Sequence, residues 1–516
     1  MTNRIRFASL LVLFIFAVAG NSFSQSFKLQ CNGEIIQVLE QNDVPLSYGL
    51  NTYKYARVEY NGEPLNMEIT VSGFEFNNSD WEISPKSYGI EGAKTGNKLS
   101  FTISRTGYLV VRFKKNQDFT KRLVIFIEPP EQMPEGELVD IIKTYDVDNT
   151  GKINETEKIQ KALNDISGSG KVLYFPDGLY KSFMLQIRSN SKIHLAKNSR
   201  IIADASSMQS YLNTDNAGTN RFVFIKDAHN IQVTGFGGFD GNGTYFRGVF
   251  DPNGSQGKGA MRVLFIVNSK NIVFDGILLK DAARWSTQIL GSEDIIFRNC
   301  KMMNNPNQSK NLTNFDGWDP DASKRVLIEN CFGWAGDDNI AIKCVGTGNP
   351  KNYNDVEDIT IRGCVFLTKK SSLKIGTETR CANMKRIIFE DNDIIESDRV
   401  MAIDVKDNAI VDGVLFKNNR AEYHFPDSKK MGINIYLKKR IDDQPTLGKI
   451  LNVTIEDCSF ENKFPNKFRI YRDETQTQAH DLQVTIKNLL VGKKQIEFLN
   501  PDFFDLPVCN GVIQFK

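Results

Sequence analysis

Apolar and polar residues alternate in short runs through most of this chain, with a period close to two rather than 3.6. From residue 26 to about 128 the runs read "YARVEYNG", "NMEITVSGFEF", "KLSFTISRTGYLVVRFKK" and "RLVIFIEPP", interrupted by Gly and Asn. Strand-like runs at that spacing, with no helical pattern among them, predict a β-sandwich over 25–128. "EPPEQMPEGE", Glu128 to Glu137, sets three prolines in a short acidic stretch and predicts an interdomain linker at 129–137. The period then changes. "NETEKIQKALNDI" places Ile159, Ala162, Leu163 and Ile166 at helical spacing behind Asn154, a capping residue, and it is the only clear helix in the pattern.

Beyond the helix one motif recurs: "NIVFDGI", "DIIFRNC", "RVLIENC", "DITIRGC", "RIIFEDN", "GVLFKNN" and "NVTIEDC". With Cys300, Cys331, Cys364, Asn392 and Asn419 as equivalent positions, the steps are 31, 33, 28 and 27 residues. A period of that length marks a solenoid. The unit is too short for a propeller blade and lacks the helix of a leucine-rich repeat, so the fold class expected is all-β, a right-handed parallel β-helix over 138–516 behind the sandwich. Its β-branched residues face inward, and the recurring Cys or Asn stacks on its counterpart in the next rung. Cys300, Cys331, Cys364 and Cys458 are therefore expected as ladder positions rather than disulfides. The early helix would cap the open N-terminal end, where bare strand edges invite aggregation.

Composition adds compartment and excludes some partners. Arg4 and Arg6 precede an apolar run from Leu10 to Ala19 and small residues to Ser24, the pattern of a signal peptide at 1–24. The run is shorter than the roughly 20 residues a bilayer span needs. The expected product is secreted or periplasmic, with no membrane partner. Without Arg4 and Arg6 the 64 basic residues become 62, equal to the 62 acids, so nothing pulls the mature chain toward nucleic acid. The eight cysteines form no CxxC pair and no metal-ligand spacing. No cofactor and no metal are implied, and a monomer is expected.

The candidate chemistry lies in "NFDGWDPDASKRVLIENCFGWAGDDNIAIKCVG", Asn314 to Gly346. Asp316 precedes Asp337 by 21 residues and Asp338 by 22, slightly less than one turn of the solenoid. Stacked rungs lie about 4.8 Å apart, so three carboxylates converge on one face. Like charges held that close drive at least one pKa upward. Asp319 and Asp321 read instead as solvated turn residues. A Ca²⁺ site is open on the same acids, since calcium prefers hard oxygens. Glycoside hydrolysis suits them too: one carboxylic acid protonates the leaving oxygen while others activate water, across the roughly 6.5–9.5 Å gap of inverting enzymes.

"NFDGWDPD…VLIENC…AGDDNIAIK" resembles the Asn-Thr-Asp-Gly and Gly-Asp-Asp motifs of the polygalacturonases, glycoside hydrolase family 28. "GKVLYFPDGLYKSFMLQIRSNSKIHLAKNSRIIA", "GFGGFDGNGTYF" and "DAARWSTQIL" are similar to earlier rungs of that family, so the resemblance covers roughly residues 140 to 460. The sandwich ahead of the β-helix resembles the dextranase and isopullulanase group, family 49. The resemblance implies Asp337 as general acid, with Asp316 and Asp338 activating water, on a plant or algal polysaccharide. Two positions depart from the pattern: Ser371 stands where the family has the histidine of Gly-His-Gly, and Asp404-Val405-Lys406 aligns with Arg-Ile-Lys, so Lys406 is kept and an acid replaces the arginine. An acid there would repel a uronate, which leaves the sugar open. Further subsite candidates are Lys343, Glu378, Lys374 and Trp285, with Trp285 read equally as a sugar platform or as core. A Ca²⁺-dependent polysaccharide lyase and a non-catalytic carbohydrate-binding β-helix remain as alternatives, since the fold alone supports all three.

Overall fold

The computed structural model describes residues 27–40, 54–115, 118–204, 221–250, 261–304, 314–346, 354–423, 430–440 and 447–516. The signal peptide expected at 1–24 lies outside the described residues.

From Leu138 onward the strands stack into three long sheets, the faces of a right-handed parallel β-helix. Among the described residues two sheets have 13 strands and the third has ten. One turn runs through Lys324–Glu329 on the first sheet, Phe332–Trp334 on the second and Ile340–Cys344 on the ten-stranded third. Inward positions repeat in register from rung to rung, as in Ile295, Val326, Ile359, Ile387 and Val414. Each buries a branched aliphatic side chain, stabilising by roughly 1.5–3 kcal/mol. Phe274 stacks on Phe297 at 4.8 Å and Phe389 on Phe416 at 4.9 Å, both nearly parallel.

The recurring dipeptides before each second-sheet strand have a backbone cause. Asn299, Asn330, Gly363, Asp391, Asn418 and Asp457 all lie in the left-handed region, which Asn, Asp and Gly tolerate best. The residue that follows each one points inward and stacks. The Cys331 amide donates to Cys364 Sγ (3.4 Å), the Cys364 amide to Asn392 Oδ1 (3.0 Å), and Asn392 Nδ2 to Asn419 Oδ1 (2.9 Å). All eight cysteines are unbridged, as the ladder reading expects.

The expected helix forms at Thr156–Ile166 and buries Ile159, Ala162, Leu163 and Ile166. Asn154 Oδ1 accepts the Thr156 amide (3.0 Å), one residue ahead of the cap position proper. The helix packs over the first rungs, against Val172–Phe175 and Leu185–Gln186. It is not alone. Ile141–Tyr145 is helical, capped by the Asp140 carboxylate, and Gly243–Phe250 is a third helix. Both are too short to show a clear helical period against the surrounding strand pattern.

Phe27–Glu128 forms two five-stranded sheets, face to face, around Leu29, Ile69, Leu99, Phe113 and Ile125. The pairings are antiparallel except Asp118–Glu128 with Lys54–Glu59. The sandwich does not sit on the end of the β-helix. Tyr55, Tyr108, Val110, Val124 and Phe126 on its outer face pack sideways on Leu278, Phe332, Trp334, Val365 and Ile395 of the second β-helix sheet. Around this apolar contact, fully buried Arg112 reaches Glu396 and Glu422, and Lys301 bonds Glu128.

Candidate functional site

The acids lie on the outer side of the ten-stranded sheet, where two rungs approach closely. The Phe315 carbonyl accepts the Asp337 amide (3.1 Å), and the Gly317 amide donates to the Asp338 carbonyl (2.7 Å). Asp316 is thereby held directly against Asp337 and Asp338. Glycine at 317 is required for that approach, because a Cβ there would lie 2.2 Å from the Asn339 carbonyl oxygen. The strand itself begins only at Ile340, so Asp337 and Asp338 occupy the bend before it.

Each carboxylate has a different environment. Asp338 is buried; burial alone would raise its pKa, but Lys374 Nζ at 2.6 Å and Arg399 at 3.8 Å hold it below the ordinary carboxylate range. Its other oxygen accepts the Ser371 amide (2.9 Å), so the residue in the histidine's place contributes backbone. Asp337 keeps some exposure and, among the described residues, accepts only the Asn314 amide (2.9 Å); burial and the neighbouring Asp338 raise its pKa. Asp316 accepts from Lys343 Nζ (2.7 Å) while its second oxygen has no hydrogen bond among the described residues. Burial pushes it up to about 7 against the pull of Lys343, with Asp337 and Asp338 adding to the rise.

Two corrections concern the acids read as turn residues. Asp319 and Asp321 are fully buried within the strand Trp318–Asp321. Asp319 lies 3.4 Å from Lys343 Nζ, and burial raises its pKa well above normal. Asp321 is a satisfied structural acid, accepting the Val345 amide (2.9 Å) and Gln288 Nε2 (2.8 Å). A proline inside a central strand argues against a strand. Here the ladder to the next rung registers only at Trp318 and Asp321, so Pro320 is spared the need for an N–H.

Lys343 is no surface lysine, being 4% exposed. Asp316 and Asp319 outweigh its burial and raise its pKa, and its ammonium sits 3.8 Å from the Trp285 ring centre. Trp285 is 7% exposed and acts first as a wall for that lysine. Asp404 follows farther along the sheet, buried, its pKa raised by burial against Lys374 and Arg399. Arg399 lies 3.8 Å from it, and Asn434 donates to it (3.3 Å). Lys406 sits over Tyr436, and Glu378 faces Arg440 at 3.9 Å. Arg399 is the group that sequence reasoning missed. It precedes the aligned tripeptide by five residues, and only the fold carries it back to Asp404.

Buried acids and lysines stand in apposition on one face of a three-sided parallel β-helix, a fold shared with solved family 28 and family 49 structures. The sequence pattern of Glycosyl hydrolases family 28 matches residues 181–501, and the chain belongs to that family. It is 26% identical over 256 residues to "Probable endo-xylogalacturonan hydrolase A" of Aspergillus fumigatus, covering 49% of this chain and 59% of that one. The chain's matches span between a third and three-fifths of its curated relatives' lengths. Among solved structures, the Yersinia enterocolitica Family 28 Exopolygalacturonase matches with a TM-score of 0.57 at 16% identity, over 84% of this chain and 90% of that one. Dex49A from Penicillium minioluteum matches at 0.55 and 13% identity, over 95% and 93%. That coverage carries the likeness of fold through the sandwich, in line with the resemblance to the dextranase group.

Proposed function

We propose that the protein is an exported, monomeric, inverting glycoside hydrolase that cleaves a galacturonan-type polysaccharide. The observation that carries the reading is the opposition of two adjacent carboxyls: Asp337 raised and part exposed, Asp338 buried and held ionised by Lys374. Neighbouring acids whose environments push their pKa values apart take the acid and base roles. Asp337 protonates the leaving oxygen. Asp338, with Asp316 beside it, holds and deprotonates the attacking water. Lys343 fixes Asp316, and Trp285 fixes Lys343.

The relatives' names supply the substrate class, and the charge around Asp404 supports it. An acid in the arginine's place does not leave a repulsive subsite, because Arg399 and Lys374 bring two cations to the same spot. Lys406 adds a third. A divalent cation would have to compete with the ammonium groups already on Asp316 and Asp338, which favours hydrolysis over a Ca²⁺-dependent lyase. The chain organisation proposed with this reading is a signal peptide at 1–24, sandwich at 25–128, linker at 129–137 and catalytic β-helix at 138–516.

The test is Asp337→Asn assayed on polygalacturonate by released reducing ends, with and without EDTA. We expect at least a thousandfold loss in the variant, unchanged activity of the parent in EDTA, and an inverted anomer in the first product seen by NMR. Full activity in the variant, or an unsaturated product from the parent, refutes the proposal.

A further inference from the structure

One interior position of the second sheet breaks the pattern close to the acids. In register, Met302 pairs with Gly333 and Gly333 with Phe366, so a glycine stands between two fully buried inward side chains. Its backbone lies outside the left-handed region, so it is there for space and not for conformation. A Cβ at 333 would lie 2.8 Å from the Phe366 ring and 2.9 Å from Asn339 Oδ1. The missing side chain leaves a socket in the β-helix, and the carboxamide of fully buried Asn339 occupies it.

Asn339 follows directly on Asp337 and Asp338. Its Oδ1 accepts the Ala335 amide (3.2 Å), closing residues 335–339 into a ring that carries both acids. Its Nδ2 donates to the Leu367 carbonyl (3.0 Å) and its backbone amide to the Ser371 carbonyl (2.8 Å), tying the bend to the following rung. In the other direction its carbonyl accepts the Trp318 amide (2.8 Å), in the rung that carries Asp316. The Thr368 hydroxyl adds a tie to the Asp337 carbonyl. One residue thus joins three successive rungs at the point where the acids meet. A buried amide costs free energy unless its polar atoms are paired, and both of these are. An apolar side chain would fill the same gap without that cost, as Met302 and Phe366 do in the adjoining rungs.

We infer that Asn339 is a positioning residue, seated in the socket left by Gly333, which holds the bend of Asp337 and Asp338 against Asp316. Its effect on rate rests on the hydrolase reading; its effect on the acids rests on geometry alone. This role separates Asn339 from the asparagines of the turn ladder. Asn419 is equally buried and is bonded to the Phe389 carbonyl and to Asn392, but it stands three ladder steps beyond Cys331, away from the acids.

The test compares Asn339→Ala, Gly333→Ala and Asn419→Ala in the full chain. All three should melt earlier than the parent. Only the two at the socket should lose kcat on polygalacturonate, by about a hundredfold, the loss expected for a displacement near 1 Å. Gly333→Ala reaches the same socket should Asn339→Ala fail to fold. In the double variant the kcat loss should match that of Asn339→Ala alone, because the carboxamide that the new methyl meets is gone. A second readout needs no turnover. With aspartate carboxyls labelled in ¹³C, and Asp337 assigned through Asp337→Asn, NMR follows its titration. Asp338 raises the Asp337 pKa while Lys370 and Lys374 lower it. Parting of the two acids should therefore bring the Asp337 midpoint down in Asn339→Ala and leave it in place in Asn419→Ala. An unmoved midpoint or a retained kcat in Asn339→Ala, an equal kcat loss in Asn419→Ala, or multiplied losses in the double variant would overturn the inference. If the parent hydrolyses nothing and the midpoint still falls in Asn339→Ala, the hydrolase reading fails and the positioning role stands.

Discussion

Replacing Gly317 by alanine tests whether the close approach of two rungs is what makes the acids work together. A Cβ at 317 would lie 2.2 Å from the Asn339 carbonyl oxygen, and real Cβ contacts essentially never fall below 3.0 Å. The rungs must therefore part by about 0.8 Å at that point. Overpacking of this kind costs about 1–3 kcal/mol of stability. A misplacement near 1 Å in a catalytic constellation costs about 10²-fold in rate, and here the parting falls between Asp316 and Asp338. Gly448→Ala is the control. Its Cβ would meet the Ala409 carbonyl oxygen at 1.8 Å, a clash at least as severe in a different turn of the β-helix. Both variants should melt earlier than the parent, but only Gly317→Ala should lose kcat on polygalacturonate, by about a hundredfold. A Gly317→Ala protein within threefold of the parent in kcat, or a Gly448→Ala protein that loses as much, would refute the reasoning.

Lys374→Met removes the closest cation from Asp338, so the Asp338 pKa should rise. The acid limb of the pH–rate profile should then move to higher pH, and the alkaline limb, set by Asp337, should follow by less, because Lys374 also lowers the Asp337 pKa but more weakly. An unmoved acid limb would show that Lys374 does not hold Asp338 ionised. Arg112→Leu should destabilise by about 3–5 kcal/mol at pH 8, because it leaves Glu422 buried without its guanidinium. Glu422 is raised to about 7 by burial against the pull of Arg112, so its contribution to stability is present at low pH and is lost as pH rises through that value. The Arg112→Leu deficit in thermal unfolding should accordingly be smaller at pH 5.5 than at pH 8.

The repeat was legible because its causes are local. Left-handed turn residues followed by a small ladder residue, and inward aliphatics two apart, are written into each rung of about thirty residues. The long helix announced itself by the same logic, while Ile141–Tyr145 and Gly243–Phe250 were too brief to carry a period. Outward positions were harder, since burial there depends on what neighbouring rungs supply. Asp319 looked like a turn acid beside Pro320, and nothing in its own segment foretold that Lys343, 24 residues on, would sit against it. Arg399 was missed for a related reason: alignment of a tripeptide asks which residue occupies a position, whereas the field at Asp404 depends on which charges arrive from nearby. The sideways docking of the sandwich was equally invisible, because Tyr55, Tyr108 and Phe126 are read in sequence only as ordinary strand aromatics.

That docking changes how the solenoid can come apart. A stack of rungs coupled only to nearest neighbours unravels from its ends one turn at a time, like a zipper. The sandwich lies across the turns from Lys197 to Glu461 as a splint, gripping several at once, chiefly through the second sheet. Turns beyond it, from Leu482 onward, can fray singly; those under it must open together or not at all. In hydrogen exchange the amides from Lys197 to Glu461 should report one shared opening free energy, with the final turns exchanging in graded order. The acids at 316, 337 and 338 fall inside the splinted block, so the reactive geometry is insulated from fraying at the open end.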